Sequence, residues 1–137
     1  MPAGNIAMIN RWFEEIWNQR RPETIHELMC PDAVGSADGE KICGPDEFKA
    51  KMYDPFTSAF PDVRVVVEGI LGYVDHVVVR WTSTGTHTGH GVGIQPSGQK
   101  VAFRGMTWIQ IRNGQLGDAW QVSNIPEVIR GLAGSPA

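Results

Sequence analysis

The stretch from residue 77 to 124 most constrains what this chain can fold into. Three β-type runs follow one another there, residues 77–86, 101–111 and 116–122. The last two are separated by Asn113-Gly114, a pair that accepts positive φ and so marks a tight hairpin turn. Thr-His-Thr between Gly85 and Gly89, then Gly91, Gly93 and Pro96-Ser97-Gly98, punctuate the joint between the first two. Consecutive strands with short Gly- and Pro-rich joints form an antiparallel meander. A curled sheet of this kind, covered by helices from the N-terminal half, encloses a one-mouthed pocket.

The N-terminal half supplies such helices. In residues 5–18 the apolar positions Ile6, Ile9, Trp12, Phe13, Ile16 and Trp17 have helical spacing, with Arg11, Glu14 and Glu15 on the opposite side. Pro22 suits the first turn of a second helix over residues 22–29, where its missing N–H costs nothing. Residues 31–44 read as a loose hairpin. Gly44-Pro45-Asp46-Glu47 opens a third helix carrying Phe48, Met52, Tyr53 and Phe56 and ending near Ala59, with acids where the helix dipole favours them. Phe60-Pro61-Asp62 turns the chain into a β-branched strand, residues 63–71. Ile125-Pro126-Glu127 starts a C-terminal helix, with Gly131 or Gly134 as its end and a frayed tail after it. Helices first and antiparallel strands afterwards indicate an α+β domain.

Composition narrows the function. A chain of 137 residues fits one domain with a real core, and 42% hydrophobic and 20% charged residues are ordinary for a globular protein. The formal net charge of −3 leaves no basic stripe for phosphates and argues against nucleic acid as partner. Arg64 and Glu68 interrupt the longest apolar run, so no membrane span is expected. The N-terminus lacks a basic start followed by an apolar segment, which predicts no secretory leader and a cytoplasmic protein. Cys30 and Cys43 have no metal-like spacing and read as two reduced thiols. His87 and His90 lack a third ligand nearby, so no metal is expected. The glycines of residues 89–98 lack the strand-to-helix setting and the Lys-Ser/Thr of a nucleotide loop.

Several short motifs, in order, resemble one known family. These are Trp17-Asn18, Gly44-Pro45, Ala59-Phe60-Pro61-Asp62, Val79-Arg80-Trp81, Gly85-Thr86-His87-Thr88-Gly89, Pro96-Ser97-Gly98, and Gly114-Gln115-Leu116 with Trp120. The element order is similar to the nuclear transport factor 2-like cone, and the motifs resemble the SnoaL-like polyketide cyclases, or ester cyclases. That resemblance implies a cavity for a flat, largely apolar, multi-ring substrate. It also implies ring closure by intramolecular aldol condensation without metal or cofactor, by an Asp on the last strand and a His on the preceding one. Such chemistry needs a base for a carbon-bound proton and donors for the oxyanion. By the resemblance, the Asp position falls on Asn124, the His position on Gln110, and a further polar position on Ser36. Asn donates and accepts hydrogen bonds but is no base.

Register decides which residues face the pocket. A two-residue turn at Asn113-Gly114 pairs Gln110 with Gly117. A three-residue loop with Gly114 in a left-handed bulge pairs Gln110 with Leu116 and Trp108 with Asp118. The second register matches the family's inward positions and is preferred. It sets Met106, Trp108 and Gln110 on one face with Asp118, Trp120, Val122 and Asn124. The expected site then has Asn124 and Gln110 holding a substrate oxygen, with His87, Asp118 or the substrate itself as base. Its lining would be Trp108, Trp120, Met106, Val122, Trp17, Phe13, Tyr53, Phe56 and Ser36. His87 has a second reading, a loop histidine that fixes the turn. Arg80 reads as an outer-face residue, beside Val78, Thr82, Thr84 and Ile109. An apolar outer face predicts a homodimer or homotetramer. The function expected is a cofactor-independent cyclase or isomerase. A non-catalytic binding module, or a hydroxylase working with a partner reductase, are the alternatives.

Overall fold

The computed structural model describes residues 2–133. The frayed tail expected beyond the C-terminal helix lies outside the described residues. Helix α1 (Pro2–Phe13) continues through a π-helical turn, Glu14–Asn18. The Gln19 N–H donates to the Glu14 carbonyl five residues back at 3.0 Å, and such turns often mark a position that must be re-aimed. A short α2 (Glu23–Leu28) follows. A hairpin, β1 (Val34–Ala37) and β2 (Glu40–Cys43), leads to α3 (Gly44–Phe48), a second π turn (Lys49–Tyr53) and α4 (Asp54–Ala59).

The remainder is the expected meander: β3 (Arg64–Tyr73), β4 (His76–Thr86), β5 (Lys100–Arg112) and β6 (Gln115–Ser123). Helix α5 (Ile125–Ala133) closes the described chain and runs through Gly131, which does not end it. All six strands form one sheet in the order β2-β1-β6-β5-β4-β3. Strand β1 joins it parallel to β6, with Gly35 opposite Ala119 and Ser36 opposite Trp120. Local patterning gives no sign of this pairing, because its partners are over eighty residues apart.

One face of the sheet carries the core. Val77, Val79, Trp81 and Ser83 of β4 and Phe103, Thr107, Ile109 and Ile111 of β5 are buried, alternating with exposed or half-buried neighbours. Ile9, Trp12, Phe13, Ile16 and Trp17 of the first helix, Ile25 and Leu28 of α2, and Ala59 and Phe60 at the end of α4 pack on that face. Each of the larger of these side chains stabilises the fold by roughly 1.5–3 kcal/mol.

The β5–β6 register corrects the sequence expectation. Arg112 pairs with Gln115, and Asn113 and Gly114 both have positive φ, +55° and +73°. This is the two-residue turn, whose backbone twist matches its strands. A bulge follows: Ile111 pairs with Leu116 but Ile109 with Ala119, so Gly117 and Asp118 together face Gln110. Beyond it Trp108 pairs with Trp120 and Met106 with Val122. These four are 51%, 50%, 46% and 69% exposed. They stand on the outer face of the sheet, not on the helix-covered face where a pocket was expected. Ile109, expected outside, is 1% exposed and belongs to the core.

Candidate functional site

A hollow lies between the helices and the inner face of the sheet, in two lobes. One is walled by Phe13, Trp17, Met52, Phe56, Val63, Val65, Trp81, Ser83, Phe103, Gln121 and Ile125, and contains about 440 Å³ of empty space. The other contains about 720 Å³ and is walled by the hairpin residues Ala33, Gly35, Ser36, Ala37 and Ile42, by Trp12, Phe48 and Met29, and by Thr107, Ile109, Leu116, Gly117 and Ala119. Phe13, Trp17, Met52 and Gln121 belong to both walls, so the lobes adjoin along these four side chains. Both volumes include some space open to solvent. Of the lining residues expected from sequence, the wall includes Phe13, Trp17, Phe56 and Ser36. Tyr53 is buried against Trp17, ring centroids 5.5 Å apart, and is not on the wall; burial raises its phenol pKa.

Local sequence explains how this wall is held. The π turn at the end of α1 places Asn18 against β3. Its carboxamide donates to the Val65 carbonyl at 2.9 Å and accepts from the Val65 N–H at 2.8 Å. The Trp17-Asn18 pair thus fixes one wall aromatic and ties the helix to an outermost strand of the sheet. Gly105 makes room for Trp81, since a Cβ there would lie 2.6 Å from its Cζ2. The glycine loop after β4 caps α4: the Thr88 and Gly89 N–H groups both donate to the Ala59 carbonyl at 3.1 Å.

The hollow has few polar groups and no acid or base among its described wall residues. Trp81 Nε1–H donates to Thr107 Oγ1 at 3.0 Å, and Thr107 Oγ1 donates to Gln121 Oε1 at 3.3 Å. Gln121 Nε2 is buried and has no partner. A buried donor without a partner is costly and rare, so this one asks for a reason. Sequence reasoning missed Gln121, Thr107 and Trp81 as site residues. The signal that could have found them is Arg80, which fixes the outward parity of β4 and, through pairing, that of β5 and β6.

The expected catalytic residues lie elsewhere. Asn124 closes the end of β6: its Oδ1 accepts from the Arg104 N–H at 2.7 Å, its own N–H donates to the Arg104 carbonyl, and its carbonyl accepts from Val128 in α5. It lines an open groove on the other side of the sheet with Arg80, Arg104, Met106, Val122 and Glu127. Gln110 is half-buried opposite the bulge and paired with His76, in the outward parity of Trp108. Asp118 accepts from the Val34 N–H at 3.0 Å and meets Arg112 at 3.5 Å, where it holds the hairpin to β6. His87 is fully buried against Phe60, and its Nδ1 accepts from the Ser97 N–H at 3.2 Å. That leaves the ring proton on Nε2, which is buried without a partner, and makes His87 the pin of the glycine loop. It is on neither wall of the hollow. None of the four is among the wall residues of the hollow: Gln110 and Asn124 have the outward parity, Asp118 is bonded to Val34 and Arg112, and His87 is packed against Phe60.

Three or more His, Cys, Asp or Glu side chains able to share a metal ion do not occur together among the described residues. No described helix is long and apolar enough to cross a membrane.

Comparison with known proteins identifies the fold and the family. The family profile for SnoaL-like polyketide cyclase matches residues 7–132. The chain belongs to the SnoaL-like polyketide cyclase family. Among solved structures, a candidate SnoaL-like polyketide cyclase from Jannaschia sp. CCS1 is 25% identical, with a TM-score of 0.87 over 98% of this chain and 95% of that one. AclR, a candidate hydroxylase from Streptomyces galilaeus, is 27% identical, with a TM-score of 0.76 over 98% and 85%. An NTF2-like protein of unknown function from Burkholderia pseudomallei K96243, 16% identical, shares the fold at a TM-score of 0.76 over 96% and 98%. No curated protein sequence matches the chain significantly. The SnoaL-like cone, an α+β fold of the nuclear transport factor 2 type, is therefore the architecture that the element order implied.

Proposed function

We propose that the hollow takes a neutral, flat, multi-ring ketone of the polyketide type, and that the chain acts on it as a cofactor-independent cyclase or isomerase. Catalysis would come from holding the substrate folded and from polarising one carbonyl with the Gln121 N–H groups, not from a side-chain base. One observation carries this reading: a two-lobed apolar hollow without a titratable wall residue, at whose junction lies a single unpaired buried donor. A proton that leaves carbon must then go to the substrate's own oxygen or to water. The outer face, with Trp108, Trp120, Met106 and Val122, is read as the contact with a second copy in a homodimer or homotetramer.

A second reading, a binding module without turnover, draws on the same lack of an acid or base. Incubation with linear and partly cyclised aromatic polyketide ketones, followed by mass spectrometry, separates the two. Loss of water or an isobaric product that depends on Gln121 supports the enzyme. Tight binding with unchanged ligand supports the module. Absence of both binding and conversion overturns the ligand-pocket reading.

A further inference from the structure

The donor in the hollow has a fixed polarity, set by two side chains next to it. An indole N–H can only donate, so Thr107 Oγ1 accepts from Trp81 at 3.0 Å. The Thr107 proton then goes to Gln121 Oε1 at 3.3 Å, which leaves the carboxamide N–H2 as the unpaired end. Turning the carboxamide over would place N–H2 against the Thr107 hydroxyl. The hydroxyl proton would then have no acceptor in a position only 8% exposed. Register holds the relay together: Thr107 pairs with Gln121, and Trp81 with Gly105, whose missing side chain leaves space for the indole.

We propose that Trp81 and Thr107 are positioning residues that lock Gln121 as a donor, so that the pocket selects ligands with a hydrogen-bond acceptor at the junction of its lobes. A carbonyl or ether oxygen satisfies the site. A ligand of the same shape with only an N–H donor there leaves two donors facing each other. The inference rests on the reading of the hollow as a ligand pocket.

Three neutral, flat, three-ring probes test it by calorimetric titration: 9-fluorenone with a carbonyl acceptor, carbazole with an N–H donor, and fluorene with neither. The wild type should bind fluorenone at least about tenfold more tightly than carbazole, the worth of one hydrogen bond. Thr107→Val lets the carboxamide turn, and the preference should fall below about threefold, while Thr107→Ser should restore it. Thr107→Ala serves in place of the valine variant if that one does not fold. Loss of packing alone would weaken all three probes together and leave the ratio unchanged. If Gln121→Leu removes the preference but Thr107→Val and Thr107→Ala keep it, the relay is overturned and the pocket stands. If Gln121→Leu keeps the preference, the carboxamide is not the donor and the inference is overturned; if the wild type binds none of the probes and converts no polyketide ketone, the pocket reading falls with it.

Discussion

At the scale of single residues, Gln121 separates function from stability. Its N–H2 group is buried without a partner, so Gln121→Leu removes one unpaired donor, but it also takes the acceptor from the buried Thr107 hydroxyl. The two effects oppose, so the melting temperature should change little, while turnover should fall by about 10²-fold, the usual loss for one donor at a developing oxyanion. A drop in melting temperature together with full turnover would show that the carboxamide is a structural group. Since the wall has no titratable side chain, fluorenone affinity should be level from about pH 5.5 to 8.5, where a general base would titrate. A step in that range, followed by calorimetry, would place an ionising group in the hollow. Of the hollow's wall, Phe13, Trp17, Phe56 and Ser36 were legible in the sequence, but the polar positions on the last two strands were not. A polar carboxamide on the last strand was expected at Asn124, three residues beyond the one that faces the hollow. An odd offset along a strand puts a side chain on the opposite face.

At the scale of elements, the order of helices and strands was readable because each has a clean period, and the turn residues carry their own φ preferences. What escaped was the joining of distant pieces. The bulge at Gly117-Asp118 shifts β6 by one residue, and the parallel docking of β1 joins residues 35–37 to 119–121. Arg80 already fixed the outward parity of β4, and carrying that parity across the ladder would have turned Trp108 and Trp120 outward. Two ties show how motifs act between elements. Asn18→Ala removes both hydrogen bonds to Val65 and should destabilise the chain by about 1–3 kcal/mol in denaturant titration. An unchanged midpoint would mean that water replaces the carboxamide. Asp62 accepts from the Thr86 hydroxyl and from the Thr86 N–H, both at 2.7 Å, and these bonds lower its pKa, the hydroxyl first. A depressed carboxyl contributes stability above its unfolded value, near 3.9, and that contribution is lost as pH falls through the lower folded value. Thermal melts of Asp62→Asn and wild type should therefore differ at pH 7 and converge in acid. A gap that widens in acid would contradict the assignment.

At the scale of the whole molecule, the sheet has two apolar faces and the helices cover only one. On the other, Trp108 and Trp120 pair across β5 and β6 with ring centroids 6.3 Å apart, and Met106 and Val122 continue the patch. An aromatic side chain can bury 150–250 Å² on association, so four tryptophans from two copies would supply a large part of a standard interface. The same face carries the exposed cations Arg80 and Arg104 and the exposed acid Glu127. Charges of both signs beside an apolar centre suit a self-complementary contact, in which each copy offers what the other lacks. Light scattering after gel filtration should find at least a dimer for the wild type and a monomer for Trp108→Glu combined with Val122→Glu. Because these side chains point away from the hollow, fluorenone affinity should change by less than about threefold, well under one hydrogen bond's worth. A wild type that stays monomeric at about 100 μM, where an interface of standard size is normally occupied, would leave the exposed tryptophans to another partner.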